Sequence, residues 1–166
     1  MALYEKYGEF DSYEEINEAA ANQKAQGDLE AVKEIAKENG IDEMDLEDFL
    51  NGDMDTLCTL TSAAVGKLTA EKEQMEMVEL MSDWEAWIEK ECLENPDFAK
   101  AVRKKGHSLA EVMAKLMDYA FENAIDVPKE ILKHSKSRAS KVTFGVPGMI
   151  TVARLVREYY LGGDAK

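Results

Sequence analysis

The sequence predicts a mainly α-helical fold: a compact multi-helix domain with short N-terminal helices and at most one short β segment near residues 141–146. Three observations lead there. Apolar residues recur at three- and four-residue spacing along most of the 166 residues. Helix start and stop signals bracket these runs. Only one stretch alternates in the manner of a strand.

The elements follow in order. Ser12 and Glu15 stand in capping-box spacing, and Gly27 ends that segment as a C′ residue. Asp28 serves as the next N-cap, with Leu29, Val32 and Ile35 on one face and Gly40 as the stop. Asp42 then caps a short helix whose Met44, Phe49 and Leu50 are expected to point inward before Gly52 ends it. The small-residue run "DTLCTLTSAAVGKL" reads as a buried helix. Residues 70–94 read as the longest helix, with Met77, Leu80/Met81, Trp84, Trp87/Ile88 and Cys92 along one stripe. Asn95 followed by Pro96 opens another helix, and Ser108 with Glu111 forms a second capping-box signal. Beyond Pro128 the Ser-rich end of "KEILKHSKSRASK" reads as an exposed loop. "KVTFGV" is the strand-like stretch, which needs a pairing partner in this chain or in a second copy. "GMITVARLVREYYLG" closes as a helix with Arg154 and Arg157 exposed. We divide the chain into an acidic helical part, 1–125, and a basic loop, extended segment and C-terminal helix, 126–166, packed as a single domain.

Composition bounds the function. With 45% hydrophobic and 33% charged residues the chain is globular rather than disordered. The opening "MALYEKYGEF" has neither a basic n-region nor an apolar h-region, and no apolar run approaches a bilayer's thickness, so no secretory signal and no membrane span are expected. Cys58 and Cys92 suit two buried thiols of a reduced, cytoplasmic protein. Charge is unevenly spread: residues 1–100 hold 27 acids against 8 bases, whereas 101–166 hold 7 against 12, together giving the net −14. Such a molecule is electrostatically polarised, although acidity also serves solubility alone.

The acidity peaks in "ENGIDEMDLEDFLNGDMD", residues 38–55, with eight carboxylates and no Lys or Arg. It does not spell a calcium loop: counted from Asp53, position six is Cys58 and position twelve is Ala64. His107 and His134 lie 27 residues apart and read as surface residues, and the two cysteines are 34 apart, so no transition-metal set is spelled. Pro96-Asp97 followed by Asp164-Ala165-Lys166 mimics a nuclease pattern by chance. There is no P-loop, dinucleotide turn or G-x-S-x-G elbow. The expectation is no cofactor, no metal and no enzymatic activity; a small metal-dependent hydrolase would need a buried acid cluster this pattern does not suggest.

The stretch "VKEIAKENGIDEMDLEDFL" has the cadence of a helix-turn-helix, yet its second helix would carry acids toward phosphates. Direct DNA binding through the acidic half is not expected. The pair could instead compete with nucleic acid for a basic groove, or be a solvated helical hairpin. The candidate partner-binding residues are Asp42, Glu43, Asp45, Glu47 and Asp48, with Asp53 and Asp55 beyond them. "AVRKKGH" and residues 129–141 are the alternative basic contacts, with Lys133, Lys136, Arg138 and Lys141 at the centre of the latter. They could equally neutralise the acidic half, including across a self-association interface. Trp84, Trp87 and the Met residues read as core, and Met-rich faces also suit partner surfaces.

The strings "YEKYGEFDSYEEINEAA", "ENGIDEMDLEDFLNGDMDTLC", "SAAVGKL", "AVRKKGHSL" and "FGVPG…RLVREYYLG" together resemble the PcfK-like proteins. These are small acidic proteins of conjugative elements and phages of gut Firmicutes, overlapping with a class of type II-A anti-CRISPR proteins. The resemblance covers most of the chain in patches and is least apparent at 69–94 and 126–140. It implies an inhibitor of an RNA-guided CRISPR nuclease, or an accessory of conjugative DNA transfer binding DNA-processing proteins or DNA through 129–141. It implies no particular site residues. A nuclease of this kind holds nucleic acid in basic channels, which an acidic protein could occupy without a reaction.

Overall fold

The computed structural model describes residues 3–77, 79–136 and 139–162. Among them the fold is mainly α: nine helices and a single two-stranded sheet.

α1 (Tyr13–Ala25) begins at Ser12, whose hydroxyl accepts from Glu15 N–H, while the Glu15 carboxylate reaches back to Asp11 N–H. α2 (Leu29–Glu38) starts at Asp28, which accepts from Ala31 N–H. α3 (Glu43–Asn51) is capped by Asp42 and ends at Gly52 in the left-handed region. These three helices, with Leu57, Cys58 and Ala63, enclose one apolar cluster around Ile16, Val32, Ile35 and Phe49. Two inward assignments fail. Leu29 is 45% and Met44 72% exposed, because each occupies the first turn of its helix, beyond the edge of this small cluster.

α4 (Leu60–Lys72) opens on a reciprocal Thr59/Ser62 capping box. Its Ala63 belongs to the first cluster, whereas Ala64 and Leu68 belong to a second. That second cluster is completed by α5 (Leu80–Glu94), α6 (Pro96–Arg103), α7 (Leu109–Glu122) and α9 (Met149–Leu161), around Ile88, Phe98, Leu109, Leu116 and Val156. The single helix expected over 70–94 is instead two. α4 ends at Lys72, and Glu79, at φ +51°, immediately precedes α5. No Gly or Pro enforces this break; packing overrides propensity. The turn brings the Trp84, Ile88 and Cys92 stripe against the core, holds Met75 and Met77 beside it, and lets Lys72 Nζ reach Glu85 Oε2 at 2.7 Å.

The second capping box is also replaced. Ser108 makes no side-chain cap on α7; its N–H donates to the Tyr159 hydroxyl, which donates to Glu111 Oε2 at 2.5 Å. Arg157, expected exposed, is half-buried: it forks onto the Glu91 carboxylate at 2.8 and 2.9 Å and lies over the Trp87 ring, tying α9 to α5.

The strand-like stretch finds its partner within the chain, so there are two β segments rather than at most one. β1 (Ile125–Asp126) pairs antiparallel with β2 (Thr143–Phe144), Ile125 opposite Phe144. Between them lies α8 (Lys129–His134), none of whose residues is buried. Gly145 seats this arm on α7, since a Cβ there would sit 1.7 Å from Ala120 O.

Candidate interaction surfaces

The acid run occupies the α2–α3 turn, α3 and the turns that follow. Its first member, Glu38, serves the fold. Its two carboxylate oxygens accept from Lys6 and Tyr7 N–H at 2.7 and 3.1 Å, anchoring the N-terminal turn. Asp42 is engaged as the α3 cap. Asp45 and Asp48 are half-buried, and Glu43, Glu47, Asp53 and Asp55 are exposed. Burial raises the Asp45 pKa, and the neighbouring Asp42 and Asp48 charges raise it further against a lowering contribution from Ser62. Among the described residues, none of the seven candidate carboxylates is in an ion pair. The nearby cation, Lys24, donates to the Phe49 carbonyl and packs over that ring, serving the end of α3 rather than its acids. The result is an acidic helix face that also displays Met44, with Met54 exposed in the turns beyond.

Of the basic candidates, Lys133 lies in the last turn of α8 and Lys136 in the loop after it, both exposed. Lys141 is exposed and lies 3.2 Å from Asp126 Oδ1. Arg138 lies outside the described residues, as do Asp164, Ala165 and Lys166. The "AVRKKGH" contact needs correction. Arg103 is 1% exposed and donates from Nη2 to Phe10 O at 2.8 Å, so only Lys104 and Lys105 of that string face solvent as bases. His107 is likewise no simple surface residue: Nδ1 lies 2.6 Å from Ala101 O, and the ring packs on Tyr159 and Tyr160.

The feature sequence reasoning missed is a buried ionic seam between the N-terminal segment, α4 and the α6–α7 turn. Lys67, 1% exposed, donates to Glu9 Oε1 at 2.5 Å and to Lys104 O at 2.8 Å, and lies 3.8 Å from Glu71. Glu71 Oε2 accepts from Leu109 N–H at 2.6 Å, capping α7 from a different helix. The other Glu9 oxygen accepts from Gly106 N–H. Tyr4, at φ +57°, lies against the seam beside Arg103, and among the described residues its hydroxyl and the Nε and Nη1 of Arg103 meet no partner at full hydrogen-bond geometry. Burial lowers the Lys67 pKa and raises those of Glu71 and Tyr4. The one sequence signal was a lysine inside a small-residue apolar helix, where a solvated charge has no room. Clefts of about 270 and 430 Å³ flank the Tyr4 turn.

Burial pushes both thiols up to about 12, and Glu71 is committed to backbone and lysine partners. Among the described residues no three His, Cys, Asp or Glu side chains converge to hold a metal ion, and no helix is long and apolar enough to cross a membrane.

The fold and its surfaces define a small, mainly α-helical protein with an unpaired acidic face on one apolar cluster and a projecting arm on the other. No family model matches the chain, and neither a curated protein nor a solved structure is found to match it.

Proposed function

We propose that the protein is a non-enzymatic, cytoplasmic interaction protein of a mobile genetic element that inhibits an RNA-guided CRISPR nuclease by occupying a basic nucleic-acid-binding surface. The observation that carries this reading is the α3 face: carboxylates presented by a capped helix with no cation of their own among the described residues. A surface lined with unpaired carboxylates repels phosphates and complements lysine- and arginine-lined channels, steering association at low salt. The resemblance to PcfK-like proteins supplies the nuclease as the partner class.

Target-DNA cleavage by a type II nuclease–guide complex tests it, with the protein added before or after the target. Inhibition only before target addition supports occupation of the DNA channel. Uninhibited cleavage at high excess counts against this nuclease. A second reading, an accessory of conjugative transfer, is favoured by the exposure of Lys133, Lys136 and Lys141 on the arm. Replacing these lysines should impair that role and leave inhibition intact.

A further inference from the structure

The arm formed by β1, α8, β2 and the approach to α9 is unusual for a monomer. Phe121 is 77%, Ile125 68%, Phe144 63% and Ile150 91% exposed. Ile125 and Phe144 are cross-strand partners on one face of the sheet, Gly145 holds β2 against the end of α7, whose last turn bears Phe121, and Ile150 opens α9 a few residues beyond β2. A two-stranded sheet with no buried face is marginal in water, and among the described residues each strand leaves one edge unpaired. Exposed apolar side chains gathered in one short segment in this way mark an interface.

Charge indicates the occupant. Residues 117–150 contain four acids and five bases, whereas the rest of the chain is strongly negative. Two copies, each of net charge −14, would repel at nearly any other approach. The arm's signs are also mixed, with Asp126 paired to Lys141 and Glu130 beside Lys129 and Lys133 on α8. A twofold interface needs such self-complementarity, because each patch meets its own copy. A patch built for a basic or an acidic partner would carry one sign.

We propose that the arm is a homodimer interface, with two copies of this chain meeting about a twofold axis and burying Phe121, Ile125, Phe144 and Ile150 against each other. The α3 faces then stay outside the interface, so the proposal is independent of the nuclease reading.

Light scattering across a concentration series of the full chain, at low and high salt, tests it. The expected mass rises from 18.6 kDa to twice that, and the dimer persists at high salt because its core is apolar. Ile150→Glu and Phe144→Thr should each weaken dimerisation by about tenfold or more, from the burial lost, with the helical circular dichroism unchanged. Glu47→Lys should leave it intact. A monomer at every concentration, as when another protein covers the arm, overturns the proposal. So does a dimer that salt dissolves, that Glu47→Lys abolishes, or that both arm variants leave undisturbed.

Discussion

Gly66 on α4 and Gly40 at the end of α2 meet backbone to backbone. A Cβ on Gly66 would lie 2.4 Å from Asn39 O and 2.8 Å from Gly40 O, and one on Gly40 would lie 2.1 Å from Gly66 O. The obstacle is main chain on both sides, so no rotamer change relieves it. Gly66→Ala is expected to destabilise the fold by about 2 kcal/mol or more through overpacking, read as a lower urea midpoint with unchanged slope.

The Lys67–Glu9 pair predicts a strongly asymmetric response. Lys67→Met removes the cation beside two carboxylates while leaving them in place, and should cost about 3 kcal/mol or more. Adding Glu9→Gln should restore much of that loss, because the amide can still accept from Gly106 N–H. Urea denaturation of both single variants and the double variant measures the coupling; additive losses would show that the pair does not act as a unit.

Alkaline pH should weaken the protein through its thiols. Cys58 and Cys92 are buried, and burial pushes each pKa from 9.0 up to about 12. Between those values the folded chain keeps protons that the unfolded chain releases. Stability is therefore fully present below pH 9 and is lost as pH rises toward 12, with a slope of up to ~1.4 kcal/mol per pH unit for each thiol. Denaturation at pH 8 and pH 10 should show the difference, and Cys58→Ala with Cys92→Ala should flatten it. A thiol reagent at pH 8 should modify both only as fast as the chain opens.

Neutralising the acid face should not harm the fold. Asn caps a helix about as well as Asp, so Asp42→Asn keeps α3 started, and Asp45→Asn removes a half-buried charge between two others. The variant that also carries Glu43→Gln, Glu47→Gln and Asp48→Asn is expected to melt within about 5 °C of the parent, while losing the salt-dependent part of partner binding. A folded variant that inhibits as well as the parent would reduce the face to a solvated surface.

Helix identity was legible wherever the signal was local. Asp28, Asp42 and Asn95 cap the helices they were expected to cap, and Gly52 ends α3. What escaped depends on partners distant in sequence. The turn between α4 and α5 has no Gly or Pro to announce it, and Ser108 cedes its capping role to Tyr159, 51 residues away. β1 is two residues long, too short to alternate. The seam is the plainest case: Arg103 looks like an ordinary surface cation, Lys67 is marked only by the small apolar residues around it, and only the fold sets Glu9 and the Phe10 carbonyl against them. The carboxylates of the run could be counted from sequence, but the diversion of Glu38 to the N-terminal turn could not.

α4 lies between the two apolar clusters, giving Ala63 to one and Ala64 and Leu68 to the other. Neither cluster can be exposed without stripping this common wall from its neighbour. The chain should therefore melt as one thermodynamic unit, with calorimetric and van 't Hoff enthalpies in agreement. A cut within α4 would divide the one helix that both clusters share.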